Sequence, residues 1–399
     1  MTSEWSPTQL GHVAEVQSGF AFKSDQFLED GHVRLARGAN VSQGGFDWSK
    51  LRYWPTELRE GYESFELAPG DVVLAMDRPW IEAGLKYARV SAEDLPALLV
   101  QRVARLRARP ERMDQGFLYY ALGTPKFTQH VLAVQTGTTI PHISGKQIVN
   151  YSLLLPPLAE QRAIAEVLSS LDDRIQRNIR LRQTVRAFAA AVGAKAELDG
   201  PGVPMSDVAR VVRTPIPEKQ LKGQLWSHYS IPAYDSAQQP VLTTGDDIKS
   251  AKLSVPAPAL LLSKLNPSWH RVWPVGEPRE PAAICSTEFM PLVPLEGISM
   301  ASLWSLTLSS RLQSQLLERV TGSTGSHQRV RPKDILACRV ADPDNLYRHE
   351  ALLQALLQQY LRSFDEDAEL RRVRGALLPE LMSGRLRIEE PQRLLGAIA

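Results

Sequence analysis

Cysteine is scarce in this chain, since Cys285 and Cys338 are the only two. They lie far apart and have no neighbouring His/Cys cluster, which argues against a disulfide or zinc framework and favours a reducing cytoplasm. Long apolar runs are missing too. No stretch approaches the roughly 18 uncharged apolar residues of a membrane-spanning helix, and residues 1–24 show no signal-peptide pattern. We therefore expect a cytoplasmic protein without membrane contact.

An excess of charge of one sign is also lacking. Lys and Arg number 46 and Asp and Glu 44, so the formal net charge is +2. Dedicated DNA-binding proteins are often more basic. If this chain binds DNA, its positive charge must be concentrated on one face, or partner subunits must supply part of the phosphate contact. The length of 399 residues and the 43% hydrophobic content fit a globular protein of two or more domains.

Sequence motifs of enzymes and metal sites are not found either. Asn266-Pro267-Ser268-Trp269 faintly resembles the Asn-Pro-Pro-aromatic motif of adenine methyltransferases, but Ser268 breaks it and no glycine-rich cofactor loop precedes it. Gly145-Lys146 lacks the earlier glycine that a phosphate-binding loop needs. Neither His-Glu-x-x-His nor Cys-x-x-Cys occurs. We expect no catalytic residue, no metal and no cofactor on this chain.

What the chain does contain is a repeat. Apolar residues in alternating three- and four-residue steps recur 189 positions later, which predicts two long heptad helices. The first set is Ile164, Leu168, Leu171, Ile175, Val185, Ala189 and Val192, and the second is Leu353, Leu357, Tyr360, Phe364, Arg374, Leu378 and Leu381. The polar interruptions also repeat, with Asn178 matching Asp367 and Arg182 matching Arg371.

The first helix is predicted over residues 158–192, after Pro156-Pro157 and with Gly193 as its stop, a length of roughly 50 Å. The second begins after Pro343, weakens at Pro379 and ends at Ser383-Gly384. A single stripe could pack into its own globule, but two stripes in one register favour an antiparallel pair, with Asn178 and Asp367 fixing the register. The predicted helix-pair interface comprises Ile164, Leu168, Leu171, Ile175, Leu353, Leu357, Tyr360, Phe364, Leu378 and Leu381.

The segments outside the helices repeat as well. Thr136-Gly137-Thr138-Thr139, followed by His142, matches Thr321-Gly322-Ser323-Thr324, followed by His327. Arg78-Pro79 matches Asn266-Pro267. Short β-like runs between glycine and proline turns indicate mixed globules. We predict an α+β fold of two mixed globules in a pseudo-twofold arrangement, joined by two long antiparallel helices that form a coiled coil. Its predicted domains are residues 1–155, the central helix 156–195, residues 196–342, and the C-terminal helix and tail 343–399.

Several strings resemble the type I restriction–modification specificity subunits. They are LPPLAEQRAI at 155–164, SGFAFKS at 18–24, the motif from Gly322 to Ile335, and RGALLPELMSG at 374–384. The second helix lacks the Pro-Pro string at its start. The two helix starts therefore need not bind partners in the same way. The loop after Gly137 carries Pro141-His142 where the second copy has residues 326–329, which implies different half-sites.

The resemblance implies a subunit that reads double-stranded DNA but has no catalysis of its own. Each globule would read one half of a bipartite target, and the helices would set the spacer and dock two modification (methyltransferase) subunits. Restriction subunits would join in the full complex. S-adenosylmethionine and ATP would be used by those partners, not by this chain.

The leading candidate DNA loops are residues 136–146 and 321–333. Their small residues let backbone N–H groups approach phosphates, and their hydroxyl groups and lysines add further phosphate contacts. Gln328 and Arg329 could read adenine and guanine. A plain surface turn with a solvated cation remains the alternative. Phe20 and Phe22 are expected to be core residues. Trp269 is expected in the core more often than as a base-stacking residue, and base stacking stays the alternative. The candidate DNA-binding residues are Arg34, Arg37, Asn40, Arg52, Arg78, Thr136, Thr138, Thr139, His142, Lys146, Lys264, Asn266, Arg271, Ser323, Thr324, His327, Gln328, Arg329 and Lys333.

A second function class stays open from the residues alone. A coiled-coil pair could hold two protein-binding globules, which would make the chain a non-catalytic adaptor or scaffold. A basic face on both globules would favour DNA binding, and neutral faces with exposed apolar patches would favour the adaptor.

Overall fold

The computed structural model describes residues 5–137, 139–277, 280–322 and 328–388. The chain divides into two compact units: unit 1 is Met1–Arg174 with Leu370–Ala399, and unit 2 is Ile175–Glu369. Both divisions fall inside long helices, and the domain limits proposed from the sequence stay predictions. None of the helices in the described ranges is both long and apolar enough to cross a lipid bilayer.

Unit 1 is a mixed unit with one five-stranded, one three-stranded and two two-stranded sheets. Its strands are β1 (Ser6–Gln9), β2 (Ala14–Ser18), β3 (Val33–Ala36), β4 (Gln43–Gly44), β5 (Tyr53–Trp54), β6 (Val72–Ala75), β7 (Trp80–Ile81), β8 (Gly84–Leu85), β9 (Tyr87–Arg89), β10 (Ala97–Leu99), β11 (Val103–Ala108) and β12 (Ser152–Leu155). Its helices are α1 (Leu10–Val13), α2 (Gln115–Leu122), α3 (Pro125–Val134), α4 (Gly145–Val149) and the start of the long α5 (Leu158–Ala196).

The main sheet of unit 1 has the order β2-β11-β6-β9-β4, and the second sheet has the order β10-β3-β5. Strand β6 is buried along its whole length because both of its faces are covered. Val72 and Leu74 face the core that contains α2, whereas Val73 and Ala75 face the smaller core on the other side. Alternation of side chains across a strand explains why this central strand is continuously apolar.

Unit 2 repeats the framework of unit 1. Its strands are β13 (Val203–Pro204), β14 (Ala209–Val211), β15 (Pro215–Ile216), β16 (Leu225–Tyr229), β17 (Val241–Thr244), β18 (Lys252–Ser254), β19 (Ala259–Ser263), β20 (Val272–Val275), β21 (Ala283–Cys285), β22 (Phe289–Pro294) and β23 (Arg339–Val340). Its helices are the remainder of α5, then α6 (Glu218–Leu221), α7 (Ile231–Ala237), α8 (Met300–Thr307), α9 (Ser310–Glu318), α10 (Pro332–Leu336) and the first part of α11 (Glu350–Ser383).

The two units share one sheet order. The sheet β14-β22-β19-β20 of unit 2 corresponds strand by strand to β2-β11-β6-β9 of unit 1. Helices α8, α9 and α10 follow it as α2, α3 and α4 follow the first sheet. The second sheets differ, because unit 2 has five strands in the order β15-β18-β21-β16-β17 where unit 1 has three. The predicted mixture of helix and sheet in two globules with a long helix pair is confirmed.

Within each unit, α5 and α11 run antiparallel. In unit 2, Asn178 Nδ2 donates to Asp367 Oδ1 at 3.0 Å, and the Arg182 guanidinium donates to Asp367 Oδ2 at 2.7 Å. The Arg182 guanidinium also donates to the carbonyl of Ser363, one turn before Asp367. A later residue of α5 thus contacts an earlier residue of α11, as expected for antiparallel helices. In unit 1, Arg374 pairs with Asp172 at 2.6 Å. Polar residues in an otherwise apolar seam tie the two helices in one register.

The predicted interface residues on the helices are buried, apart from the half-buried Phe364. Ile164, Leu168, Leu378 and Leu381 also belong to the main core of unit 1. In unit 2, Leu353 and its neighbours belong to the core under α8. The helices therefore pack against their globules at the same positions, and the assignment of these residues to a helix-pair interface stays a prediction.

Gly193 does not stop α5, contrary to the prediction, because the helix continues to Ala196. A Cβ atom on Gly193 would lie 2.6 Å from the Ser305 carbonyl oxygen. At the preceding turn, Ser305 Oγ donates to the Ala189 carbonyl at 2.7 Å. The glycine thus lets α8 approach the backbone of α5. The second helix ends at Ser383 as predicted, with the left-handed Gly384 behind it.

Candidate nucleic-acid interface

In unit 1, one loop junction gathers several of the predicted residues. The unit 1 junction consists of residues 76–80, just after β6, and residues 136–143. Arg78 adopts a left-handed φ of 44°, and its backbone N–H donates to the Pro141 carbonyl at 2.7 Å. Thr136 and His142 exchange backbone hydrogen bonds of 2.9 and 2.8 Å across the second segment. Gly137 has a φ of 91° there, a conformation that favours glycine.

Unit 2 contains the same arrangement. The unit 2 junction consists of residues 264–271, just after β19, and the described residues 321–322 and 328–330. Asn266 has a φ of 46°, and its N–H donates to the Gln328 carbonyl at 2.9 Å. Thr321 and Arg329 exchange backbone hydrogen bonds of 2.9 and 3.0 Å. Gly322 is left-handed, as Gly137 is in unit 1. Each unit therefore contains a strained residue that precedes a proline and whose N–H is hydrogen-bonded to a loop with a left-handed glycine.

Cationic side chains surround the unit 1 junction. Arg78 is exposed, and Arg102 pairs with Asp77 at 3.7 Å. Lys86 Nζ donates to the Gly38 carbonyl. Burial, and then repulsion by Arg78, lower the pKa of Lys86 below its ordinary value. Lys86 is thus close enough to Arg78 to be repelled by it, and Asp77, which also pairs with Arg102, offsets part of this repulsion.

The four polar residues predicted on β3, β5 and their loops make contacts inside unit 1. The Arg34 guanidinium lies 5.5 Å from the centre of the Trp48 ring, and Arg52 pairs with Glu29 at 3.1 Å. Arg37 donates to the Lys50 carbonyl. Asn40 is fully buried, and its amide donates to the Asp47 carbonyl at 3.0 Å. Their DNA contacts stay predictions, and contact by Asn40 would require its loop to open.

Acidic partners hold the arginines of the unit 2 junction. Arg271 is buried and binds both carboxylate oxygens of Asp235, at 2.6 and 2.8 Å. Arg329 binds Glu288 with contacts of 2.9 to 3.2 Å. Lys264 Nζ donates to the Thr287 carbonyl at 2.5 Å. Both Arg271 and Arg329 are therefore engaged by carboxylates inside unit 2.

The remaining loop candidates lie around these junctions. Thr136 Oγ1 is 3.1 Å from His142 Nε2, and Thr139 is exposed. Lys146 and Lys333 are both exposed on the short helices α4 and α10 that follow the loops. The predicted residues that lie outside the described part of the chain are Thr138, Ser323, Thr324 and His327.

Two predictions about aromatic residues can be compared with the structure. Phe22 is buried as expected, whereas Phe20 is 38% exposed at the edge of the same aromatic cluster. Trp269 is 67% exposed, so its placement in the core was wrong. It lies in a 3-10 turn between Asn266 and His270, both left-handed, and that turn carries the indole to the surface.

The sequence reasoning missed Lys86, Arg102 and the carboxylates Asp235 and Glu288. Asp235 lies on α7, whereas Lys86, Arg102 and Glu288 lie in short connections beside strands, and no local spacing marks these residues. In the described residues no group of three or more His, Cys, Asp or Glu is placed to hold a metal ion. Burial raises the pKa of the Cys285 thiol to about 12, so this cysteine is a poor nucleophile.

Residues 2–185 match the family model described as the type I restriction modification DNA specificity domain. The chain is 35% identical over 173 residues to the type I restriction enzyme MjaVIII specificity subunit of Methanocaldococcus jannaschii. The aligned region covers 43% of this chain and 40% of that protein. It is 33% identical over 184 residues to the EcoAI specificity subunit of Escherichia coli, and this alignment covers 46% of this chain and 30% of that protein. The matches thus span less than half the length of these relatives.

A crystal structure of a type I restriction–modification system S subunit from M. genitalium is similar in fold. Its TM-score is 0.57 at 14% identity, with 95% of this chain and 96% of that chain covered. The predicted resemblance to specificity subunits is confirmed by the domain match and the relatives, and the fold by this likeness.

Proposed function

We propose that this chain is the DNA specificity subunit of a type I restriction–modification complex, in which each unit contacts one half of a bipartite target. The observation that carries the proposal is the junction built twice. Arg78 meets Pro141 in unit 1 as Asn266 meets Gln328 in unit 2, each beside a loop with a left-handed glycine. A duplicated reader suits a target with two halves.

The chemistry of the junctions suits DNA. Loop N–H groups and the hydroxyls of Thr136 and Thr321 contact phosphates, and Lys146 and Lys333 add charge. In unit 2, Gln328 and Arg329 read base edges in the major groove. The two loops differ at these positions, so the two half-sites differ.

The net charge of +2 is low for a DNA-binding protein, and partner subunits therefore supply part of the phosphate contact. The long helices dock two modification subunits, and restriction subunits join in the full complex. Those subunits use S-adenosylmethionine and ATP, whereas this chain is non-catalytic. The complex acts in the cytoplasm.

One observation favours the adaptor as a second candidate. In unit 2, a groove at the start of α11 is lined by five carboxylate residues, and Tyr347 beside it is 83% exposed. Such a surface repels phosphates and suits a basic protein segment. The carboxylates are Asp207, Glu296, Asp342, Asp344 and Glu350.

Methylome sequencing tests the proposal. A host that expresses this chain with its neighbouring modification subunit is compared with a host that expresses the modification subunit alone. A new split motif, methylated in both halves only when this chain is present, is expected. A stable complex of the two subunits without any new motif would contradict DNA recognition and favour the adaptor.

A further inference from the structure

Two tryptophans of this chain are exposed, and they occupy matching places. All eight tryptophans lie in the described ranges, and only Trp80 and Trp269 are classed as exposed, at 41% and 67%. They lie 189 positions apart, the same interval as the repeated helix residues. Tryptophan is usually well buried, so two exposed indoles that each follow the repeated residue–proline pair call for a common cause.

Each indole is presented by the same backbone device. Trp80 follows Arg78 and Pro79, and Trp269 follows Asn266 and Pro267, with one serine inserted. The residue before each proline is left-handed and bonds to the carbonyl of the neighbouring loop. The two segments also pack against corresponding helices, β7 on α3 and the turn Pro267–Trp269 on α9.

The Trp269 indole and the backbone of Trp80 are held in place before any ligand arrives. In unit 2 the Arg271 guanidinium lies 5.1 Å from the centre of the Trp269 ring, and Asp235 fixes that guanidinium through both oxygens. In unit 1, Trp80 lies on β7, which pairs with β8, and Lys86 N–H donates to the Pro79 carbonyl at 2.7 Å. The Trp269 side chain, held in this way, loses little conformational entropy on binding.

The surroundings of the two indoles favour DNA over a protein partner. Trp80 is two residues from the exposed Arg78 and one strand from Lys86, whose charge is already crowded. Trp269 is three residues from Asn266, which is hydrogen-bonded to the predicted base reader Gln328. Arg271 lies on the Trp269 ring and Arg78 lies two residues before Trp80, and an aromatic face with a cation nearby suits a base flanked by phosphates.

Resting on the proposed function, we infer that Trp80 and Trp269 are DNA contacts, each stacking on or wedging beside a base within its own half-site. In a duplex such a contact requires a partly unstacked base step, as with other side chains that wedge between bases. It tolerates different sequences because every base has a flat π-face. It adds affinity without releasing counterions, so it does not depend on salt as phosphate contacts do. The tryptophans would position DNA, and the adjacent loops would select its sequence.

The test uses the purified complex of this chain with its modification subunit. The probe is a DNA duplex that carries the methylated split motif, and its dissociation constant is measured at several salt concentrations. Trp80→Ala and Trp269→Ala are each expected to weaken binding about 10- to 100-fold, since stacking on one base contributes roughly that much. The dependence on salt should stay unchanged. Trp269→Phe should keep most of the affinity.

Two control variants separate this effect from others. Leu242→Ala removes an apolar side chain that is 62% exposed on β17 and should leave binding unchanged. Lys146→Ala should weaken binding and also reduce the dependence on salt, as expected for a phosphate contact.

Three outcomes overturn the inference, and they differ from one another. Wild-type affinity in both tryptophan variants contradicts the inference alone. Loss of the modification subunit from the tryptophan variants on size-exclusion chromatography assigns the indoles to a protein interface. A wild-type complex that binds the motif no more tightly than a scrambled duplex contradicts the proposed function itself.

Discussion

His270 is a partly buried residue with an expected effect on pH dependence. Burial, and then the positive charge of Arg186, lower its pKa to about 4. Its Nε2 has no hydrogen-bond partner, and the Arg186 guanidinium donates to its backbone carbonyl at 3.0 Å. The imidazole is therefore neutral in the folded protein at neutral pH.

We predict that this histidine makes unit 2 less stable in mild acid. Its pKa is lower in the folded than in the unfolded chain, so protons favour unfolding. The contribution is complete above pH ~6.5 and is lost as the pH falls towards about 4. The full loss is on the order of 3 kcal/mol. Urea unfolding across this range should show a shallower pH slope for His270→Asn, which tolerates the left-handed backbone. Equal slopes in the two proteins would contradict a neutral buried His270.

Residue environments were only partly predictable. Asn178 and Asp367 interrupt matching heptads, and the structure joins them by a hydrogen bond. The exposure of Trp269 was not predicted because it depends on the left-handed conformation of Asn266 and His270. Asn and His adopt this conformation more often than most residues, but too rarely for their presence alone to indicate it. The pairing of Arg329 with Glu288 was hidden for another reason, since strand packing brings together residues 41 positions apart.

At the scale of elements, the helix pair depends on one carboxylate. Asp367 is 1% exposed, accepts from Asn178 and pairs with Arg182, whose side chain is also largely buried. Two donors on α5 thus converge on a single residue of α11.

Asp367→Ala is predicted to lower the free energy of unfolding by about 3–5 kcal/mol, because it leaves a buried guanidinium without its counter-charge. Asp367→Asn keeps the shape and an acceptor and should cost less. The exposed Asp199→Ala serves as control and should change little. Chemical denaturation of the three variants decides the matter, and equal losses for Asp367→Ala and Asp199→Ala would refute the role of Asp367.

Two helical glycines provide a matched pair. Gly193→Ala in α5 would place a Cβ 2.6 Å from the Ser305 carbonyl oxygen, whereas Gly375→Ala in α11 meets nothing within 4 Å. We predict that the first costs about 1–3 kcal/mol through overpacking. The second should stabilise by roughly 0.5–1 kcal/mol through helix propensity. Thermal unfolding should move the two midpoints in opposite directions. A midpoint raised by Gly193→Ala would show that α8 does not need the close approach.

Gly193 also shows why helix ends were harder to predict than helices. A glycine after a long apolar repeat is typical of a helix stop. Here the same residue provides the space for a crossing helix, a tertiary contact that the local sequence does not encode.

At the scale of the whole molecule, the duplication was visible in the sequence because both copies keep the same heptads and loop motifs. The attached sheets were not predictable, since β10-β3-β5 and β15-β18-β21-β16-β17 differ in strand number and order. Short strands in irregular loops leave little periodic signal. The sequence repeat therefore predicted the framework that the two units share, but it did not predict the sheets in which they differ.

If the long helices set the spacing of the half-sites, lengthening them must change the gap. Four residues inserted near Asn178 add about 6 Å of helix. The methylome should then show an altered gap between unchanged half-sites. The same insertion after Gly223, at an exposed turn of unit 2, should alter neither. An unchanged gap in the helix variant would refute a spacing role for the helices.

The most direct test of the central claim is the methylome of a host in which residues 196–342 are replaced by the corresponding segment of another specificity subunit. If each unit reads its own half-site, one half of the methylated motif changes while the other half and the gap stay as they were. A change in both halves, or in neither, would contradict the assignment of one half-site to each unit.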